Sequence, residues 1–106
     1  MSVLKRINCE QASTLCSQSD TQLIDIRDSA SFAAGHIREA QHIDNQSLPD
    51  FVATAATDKP LVIYCYHGNS SQQAGQYFIQ QGFTDVYSVD GGFEQWRQDI
   101  PGDLAG

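Results

Sequence analysis

Short apolar runs alternate with helical spacings along the whole chain. Leu61-Val62-Ile63-Tyr64 is the clearest strand. It is apolar at every position, so both faces need cover, as in the centre of a parallel sheet. Leu23-Ile24-Asp25-Ile26 and Val86-Tyr87-Ser88-Val89 read as further strands, and His42-Ile43 as a weak one. Asn8 is the expected N-cap of a first helix whose stripe is Ala12, Leu15 and Cys16, running to about Gln18. Ser29 is the expected cap of a brief helix holding Phe32, with Gly35 as its closing residue. Ser47-Leu48-Pro49-Asp50 reads as a capping box with proline in the first turn. Leu48, Phe51, Val52 and Ala55 follow at i, i+3, i+4 and i+7, the core stripe of a helix. Ser71 to Gln81 reads as a helix packed through Ala74, Tyr77 and Phe78 and closed by Gly82. Asp90-Gly91-Gly92 turns into a last helix, whose Phe93, Trp96 and Ile100 share a face and which Pro101 stops.

This alternation predicts an α/β fold with three layers: a mainly parallel sheet of about five strands flanked by helices. In such sheets the ligand site lies beyond the carboxyl ends of the strands, and Cys65 ends the best strand. A length of 106 residues predicts one domain spanning 1–106, and 41% hydrophobic with 18% charged residues is ordinary globular composition. Thirteen acids against six bases give a net charge of −7, so neither nucleic acid nor an anionic membrane is expected as a partner. The longest apolar run, Leu61 to Tyr66, is six residues, too short to span a bilayer. Met1 to Arg6 contains no apolar stretch of the kind a secretory signal needs.

Three cysteines do not make a disulfide framework. Cys9 and Cys16 sit seven apart on one helix, roughly 10.5 Å along its axis, whereas bridged Cα atoms need to be within about 7 Å. Free thiols imply a reducing compartment, and the expected location is the cytoplasm.

The stretch Tyr64-Cys65-Tyr66-His67-Gly68-Asn69-Ser70-Ser71 places a cysteine between a buried strand and a helix N-terminus. The first N–H groups of a helix lack intrahelical partners, and the positive end of its dipole faces whatever precedes it. Gly68 can adopt backbone angles that let successive N–H groups converge into an anion-binding nest. A thiolate held there is stabilised and becomes an activated nucleophile. The plainer alternative makes Cys65 a small buried hydrophobe ending a strand. Cys65-x-His67, with His36 and His42 elsewhere, resembles half a zinc site. The chain has no Cys-x-x-Cys or His-x-x-x-His pair to complete one, so no metal is expected.

Three blocks in order make the chain resemble the rhodanese family of sulfurtransferases over nearly its whole length. The first is Asp25-Ile26-Arg27-Asp28 with Phe32-Ala33-Ala34-Gly35-His36-Ile37 and Ala40. The second is the loop Cys65 to Ser70, and the third is Val89-Asp90-Gly91-Gly92-Phe93-Glu94-Gln95-Trp96. Arg38-Glu39 departs from the pattern, since many members have proline and glycine there.

The resemblance implies a rhodanese-like domain that moves sulfur by double displacement. Cys65 would attack the outer sulfur of thiosulfate, release sulfite and become a persulfide. Cyanide, a dithiol or a reduced thioredoxin would then accept the sulfur. The same resemblance implies that the backbone N–H groups of Tyr66, His67, Gly68, Asn69 and Ser70 hold the terminal sulfur, and that no cofactor is needed. Asp25 and His36 are expected to hold loops together; Arg27 could face the site or pin a carboxylate. Two competing readings are a cysteine-dependent phosphatase or arsenate reductase, and a non-catalytic interaction module. The former use Cys-x5-Arg, whose guanidinium grips an oxyanion; here that position is Ser71.

Overall fold

The computed structural model describes residues 3–18 and 20–105, so Met1 and Ser2 of the amino-terminal segment lie outside it. In chain order the elements are β1 (Lys5–Ile7), α1 (Cys9–Cys16), β2 (Gln22–Asp25), α2 (Ser29–Ala34), β3 (His36–Ile37), β4 (Gln41–His42) and α3 (Leu48–Thr54). Then follow β5 (Leu61–Tyr64), α4 (Ser70–Gln80), β6 (Val86–Val89), α5 (Gly92–Asp99), a 3₁₀ turn (Pro101–Asp103) and β7 (Leu104–Ala105). Five strands form one parallel sheet in the order β1-β6-β5-β2-β4.

The central position of β5 explains its unbroken apolar sequence. Val62 and Tyr64 point into one layer with Cys9, Ala12, Phe93 and Trp96, hence α1 and α5. Leu61 and Ile63 point into the other with Phe51, Phe78 and Phe83, hence α3 and α4. Side chains alternate across a strand, so a strand covered on both faces must be apolar throughout. The three-layer α/β expectation therefore holds, with all five β-strands of the main sheet parallel.

Local chemistry follows the sequence at α1, where Asn8 accepts from the Gln11 amide and the Gln11 side chain accepts from the Asn8 amide. It departs at α3. Ser47 does not cap this helix; its amide donates to Asp44 Oδ1, and its hydroxyl accepts from the Asp44 amide, closing a turn one step earlier. Gly35 does end α2, but in extended backbone (φ 168°) that any residue adopts, so no left-handed glycine closes it. Gly82 closes α4 in the left-handed region at φ 101°.

Three strands were not legible from periodicity. β1 is a short edge strand carrying two charges, and β3 and β7 are two residues each, paired antiparallel outside the main sheet. Asp25 and Arg27 are buried among these elements. Arg27 donates to Asp25 through Nε (3.1 and 3.0 Å) and Nη2 (2.7 Å), and Nη2 also donates to the Gly35 carbonyl at 2.7 Å. The pair thus ties the end of β2 to the end of α2. His36 Nδ1 lies 2.8 Å from the Phe32 carbonyl with its ring stacked on Phe32, and His42 Nε2 lies 2.6 Å from the Arg27 carbonyl.

Candidate active site

Cys65 follows β5 directly, and the chain needs only four residues to enter α4. That shortness forces the loop to wrap around the sulfur. Gly68, at φ 92°, turns its amide onto Cys65 Sγ at 3.2 Å. The Ser71 amide, in the first turn of α4, donates to the same sulfur at 3.4 Å. Ser71 Oγ lies 3.5 Å from Sγ and 2.7 Å from Ser88 Oγ on β6. Ser71 and Ser88 are both wholly buried.

These contacts set the charge state. Burial pushes the Cys65 thiol upward, but the Ser71 hydroxyl and the amides of Ser71, Gly68 and His67 outweigh it and hold the pKa below its ordinary value. The other thiols go the opposite way. Burial pushes Cys9 up to about 11 and Cys16 to about 12, each reinforced by nearby carboxylates. Of the three cysteines, Cys65 alone is shifted toward the thiolate.

The outer side of the loop is held from α5. The amide of Phe93 donates to the Cys65 carbonyl at 2.7 Å, and that of Glu94 to the Tyr66 carbonyl at 3.1 Å. The Gln72 side chain donates to the Gly68 carbonyl at 2.8 Å. With these carbonyls engaged outward, the amides of the loop are left to face the sulfur. Gly91 and Gly92 (φ 78° and 59°) make this approach possible: a Cβ on Gly92 would come within 2.5 Å of the Cys65 carbonyl oxygen.

Of the expected site residues, Cys65 and Gly68 meet directly, and His67 contributes its amide. Tyr66, Asn69 and Ser70 are exposed around the opening, and among the described residues their amides have no protein partner. Ser71, Ser88 and Gly92 were not singled out from the sequence as site residues. Ser88 did leave a trace, as the one polar residue at a fully buried position of an otherwise apolar strand. The Gly91-Gly92 pair left another. Arg27 turns out to pin a carboxylate, with its guanidinium 3.9 Å from the Phe93 ring centroid.

The fold and the site together define a parallel α/β domain with one cysteine, shifted toward the thiolate, between its central strand and a helix N-terminus. The chain belongs to the rhodanese-like domain family, whose pattern matches residues 8–99. It is 60% identical over 101 residues to the thiosulfate sulfurtransferase GlpE of Pseudomonas aeruginosa, covering 95% of this chain and 91% of that one. To the protein of the same name from Pseudomonas putida it is 54% identical over 105 residues, covering 99% and 96%. The rhodanese-like domain of an Anabaena protein superposes with a TM-score of 0.84 at 19% identity, covering 95% of this chain and 78% of that one.

Proposed function

We propose that this protein is a thiosulfate sulfurtransferase acting as a single domain through Cys65. The observation that carries this reading is the set of donors converging on one sulfur: two amides and a hydroxyl within 3.5 Å of Cys65 Sγ. In the first half-reaction the thiolate attacks the outer sulfur of thiosulfate. The new bond joins Cys65 Sγ to that sulfur, the sulfur–sulfur bond of thiosulfate breaks, and sulfite departs with the electron pair. The terminal sulfur of the resulting persulfide carries the negative charge, and we infer that the amides from Tyr66 to Ser70 receive it, a role supported by those of Tyr66, Asn69 and Ser70 having no protein partner among the described residues. An acceptor thiolate, a dithiol, a reduced thioredoxin or cyanide then attacks the terminal sulfur and releases Cys65 as a thiolate. No cofactor enters either step.

The names carried by the relatives at 53–60% identity support thiosulfate as donor. Phosphoryl or arsenate chemistry is disfavoured by Ser71, which stands where those enzymes place arginine and which spends its hydroxyl on Cys65 and Ser88. A non-catalytic module gives no reason to lower one thiol while two others are raised. No helix among the described residues is long and apolar enough to cross a membrane. Three free thiols fit the reducing cytoplasm.

Intact-mass measurement tests the reading. Thiosulfate should add one sulfur atom to the protein, and cyanide should remove it as thiocyanate. Cys65→Ser should lose both the adduct and the thiocyanate, whereas Cys9→Ser and Cys16→Ser should keep turnover. Thiocyanate production by Cys65→Ser would overturn the mechanism.

A further inference from the structure

An open cleft of about 460 Å³ adjoins the cysteine loop, lined by Arg27, Ala30, Ala34, Tyr66, Phe93 and Arg97 among others. Resting on the sulfurtransferase reading, we propose that this cleft seats the carboxylate end of a small thiol that accepts sulfur from Cys65. Three observations carry this. The first is chemical: Asp25 and Gly35 occupy Nε and Nη2 of Arg27, and Nη1 has no protein partner among the described residues. The Arg27 side chain is 2% exposed and lines the cleft, so a fixed pair of N–H donors is held at its wall. The Phe93 ring, another part of the cleft wall, has its centroid 3.9 Å from the guanidinium carbon and restricts its plane.

The second is electrostatic. Lys5, Arg6 and Lys59 pair with Asp85, Asp90 and Asp20, and Arg38 donates to carbonyls of Gly102 and Leu104. The remaining two basic side chains both line this cleft. Arg97 is held by Glu94 on its own helix, an exposed pair that exchanges at little cost. A carboxylate can therefore be met by Arg97 and by Nη1 of the Arg27 guanidinium.

The third is size and place. Tyr66 is the neighbour of the nucleophile and forms part of the cleft wall. A space of this volume suits a small organic molecule, and thiosulfate, with five heavy atoms, would leave most of it empty. The occupant must carry its own nucleophilic sulfur to the persulfide. Its thiolate bonds to the terminal sulfur, the bond from that sulfur to Cys65 Sγ breaks, and Sγ leaves with the electron pair. The products are the persulfide of the acceptor and the free Cys65 thiolate, so no oxidant is required.

The test uses full-length protein loaded with thiosulfate and then freed of it, so that discharge is followed apart from loading. Persulfide decay is compared at equal thiolate concentration for 3-mercaptopropionate, 2-mercaptoethanol and cysteamine, which differ chiefly in charge. A net charge of −7 alone favours cysteamine. The cleft reverses that order, with 3-mercaptopropionate fastest. Arg97→Gln should cut the ratio of 3-mercaptopropionate to 2-mercaptoethanol roughly threefold, the scale of an exposed ion pair. Ala30→Glu, which puts a carboxylate into the cleft from exposed α2, should cut it at least as far. An order that follows net charge, or a ratio untouched by both substitutions, overturns the proposal. So does an Arg97→Gln protein that loads slowly from thiosulfate but discharges with unchanged ratios, because the cleft would then serve the donor. Failure to load at all would instead overturn the sulfurtransferase reading.

Discussion

Ser71 and Ser88 place their hydroxyl oxygens 2.7 Å apart in the interior, and Ser71 carries that contact on to Cys65. Each hydroxyl has one proton to give. When Cys65 is a thiolate, Ser71 must donate to the sulfur, which leaves Ser88 to donate to Ser71. When Cys65 is a thiol, both bonds can run the other way. Ser71→Ala removes the bond to the charged form, so kcat/KM for thiosulfate at pH 6.5 should fall about tenfold, for a charge-assisted bond of roughly 1.5 kcal/mol. Ser88→Ala removes a bond present in both states, so its effect on the pH profile should be smaller. Equal effects of the two would show that Ser71 does not distinguish thiolate from thiol.

Gly92 should tolerate no side chain. Its φ of 59° costs a non-glycine residue roughly 1–2 kcal/mol. The added Cβ would also meet Cys65 and Tyr66 backbone atoms at 2.5–2.6 Å. Those atoms are not a flexible side chain that can swing aside; the loop itself must move, and with it the amides aimed at Sγ. Gly92→Ala should lower Tm and reduce turnover more than tenfold, the scale of losing about 1.4 kcal/mol of preorganised donor contact. Gly82→Ala provides the contrast: its φ of 101° also disfavours alanine, but nothing lies within 4 Å of the added carbon. It should lower Tm while leaving turnover per folded molecule intact. Equal turnover in both variants would remove Gly92 from the support of the loop.

Much of this arrangement was legible because burial writes itself into residue type. Leu61 to Tyr64 had to be central, and Cys65 had to leave the sheet at its carboxyl end. The edge strand Lys5–Ile7 was not legible, since it is three residues long and its first two, Lys5 and Arg6, are charged and exposed on opposite faces, which leaves no apolar alternation to read. The two-residue strands β3 and β7 exist through pairing between residues about 70 apart, which no local period encodes. Within the site, Cys65 and Gly68 followed from loop chemistry. Ser88 did not, because it reaches Ser71 through strand order rather than sequence distance.

The thiols should separate in an alkylation profile. Cys65 is held below its ordinary range, so its thiolate persists as pH falls past the point where a free thiol is protonated. Cys9 and Cys16 gain thiolate only as pH rises toward about 11 and about 12. Iodoacetamide at pH 6.5 should therefore label Cys65 alone on the intact protein. Raising the pH to 9 should add little to the Cys65 rate beyond its own titration and still leave the other two slow. Peptide mapping at both pH values checks this. Labelling of all three at one common rate would mean that the loop leaves Cys65 unperturbed.

Glu39 gives the last expectation, and it concerns stability rather than chemistry. It is the single non-glycine residue with positive φ among the described residues, at 69°. Its position follows Arg38, where the resemblance to the family has proline and glycine. A left-handed non-glycine residue costs roughly 1–2 kcal/mol, whereas glycine costs about 0.4–1 kcal/mol through the freer unfolded chain. The balance favours glycine by several tenths of a kcal/mol. Glu39→Gly should raise Tm by a few degrees, given about 4–8 °C per kcal/mol for a domain of this size. Glu39→Ala keeps the backbone cost and removes only an exposed charge, so it should move Tm far less. If alanine stabilises as much as glycine, the cost at this position is electrostatic and not conformational.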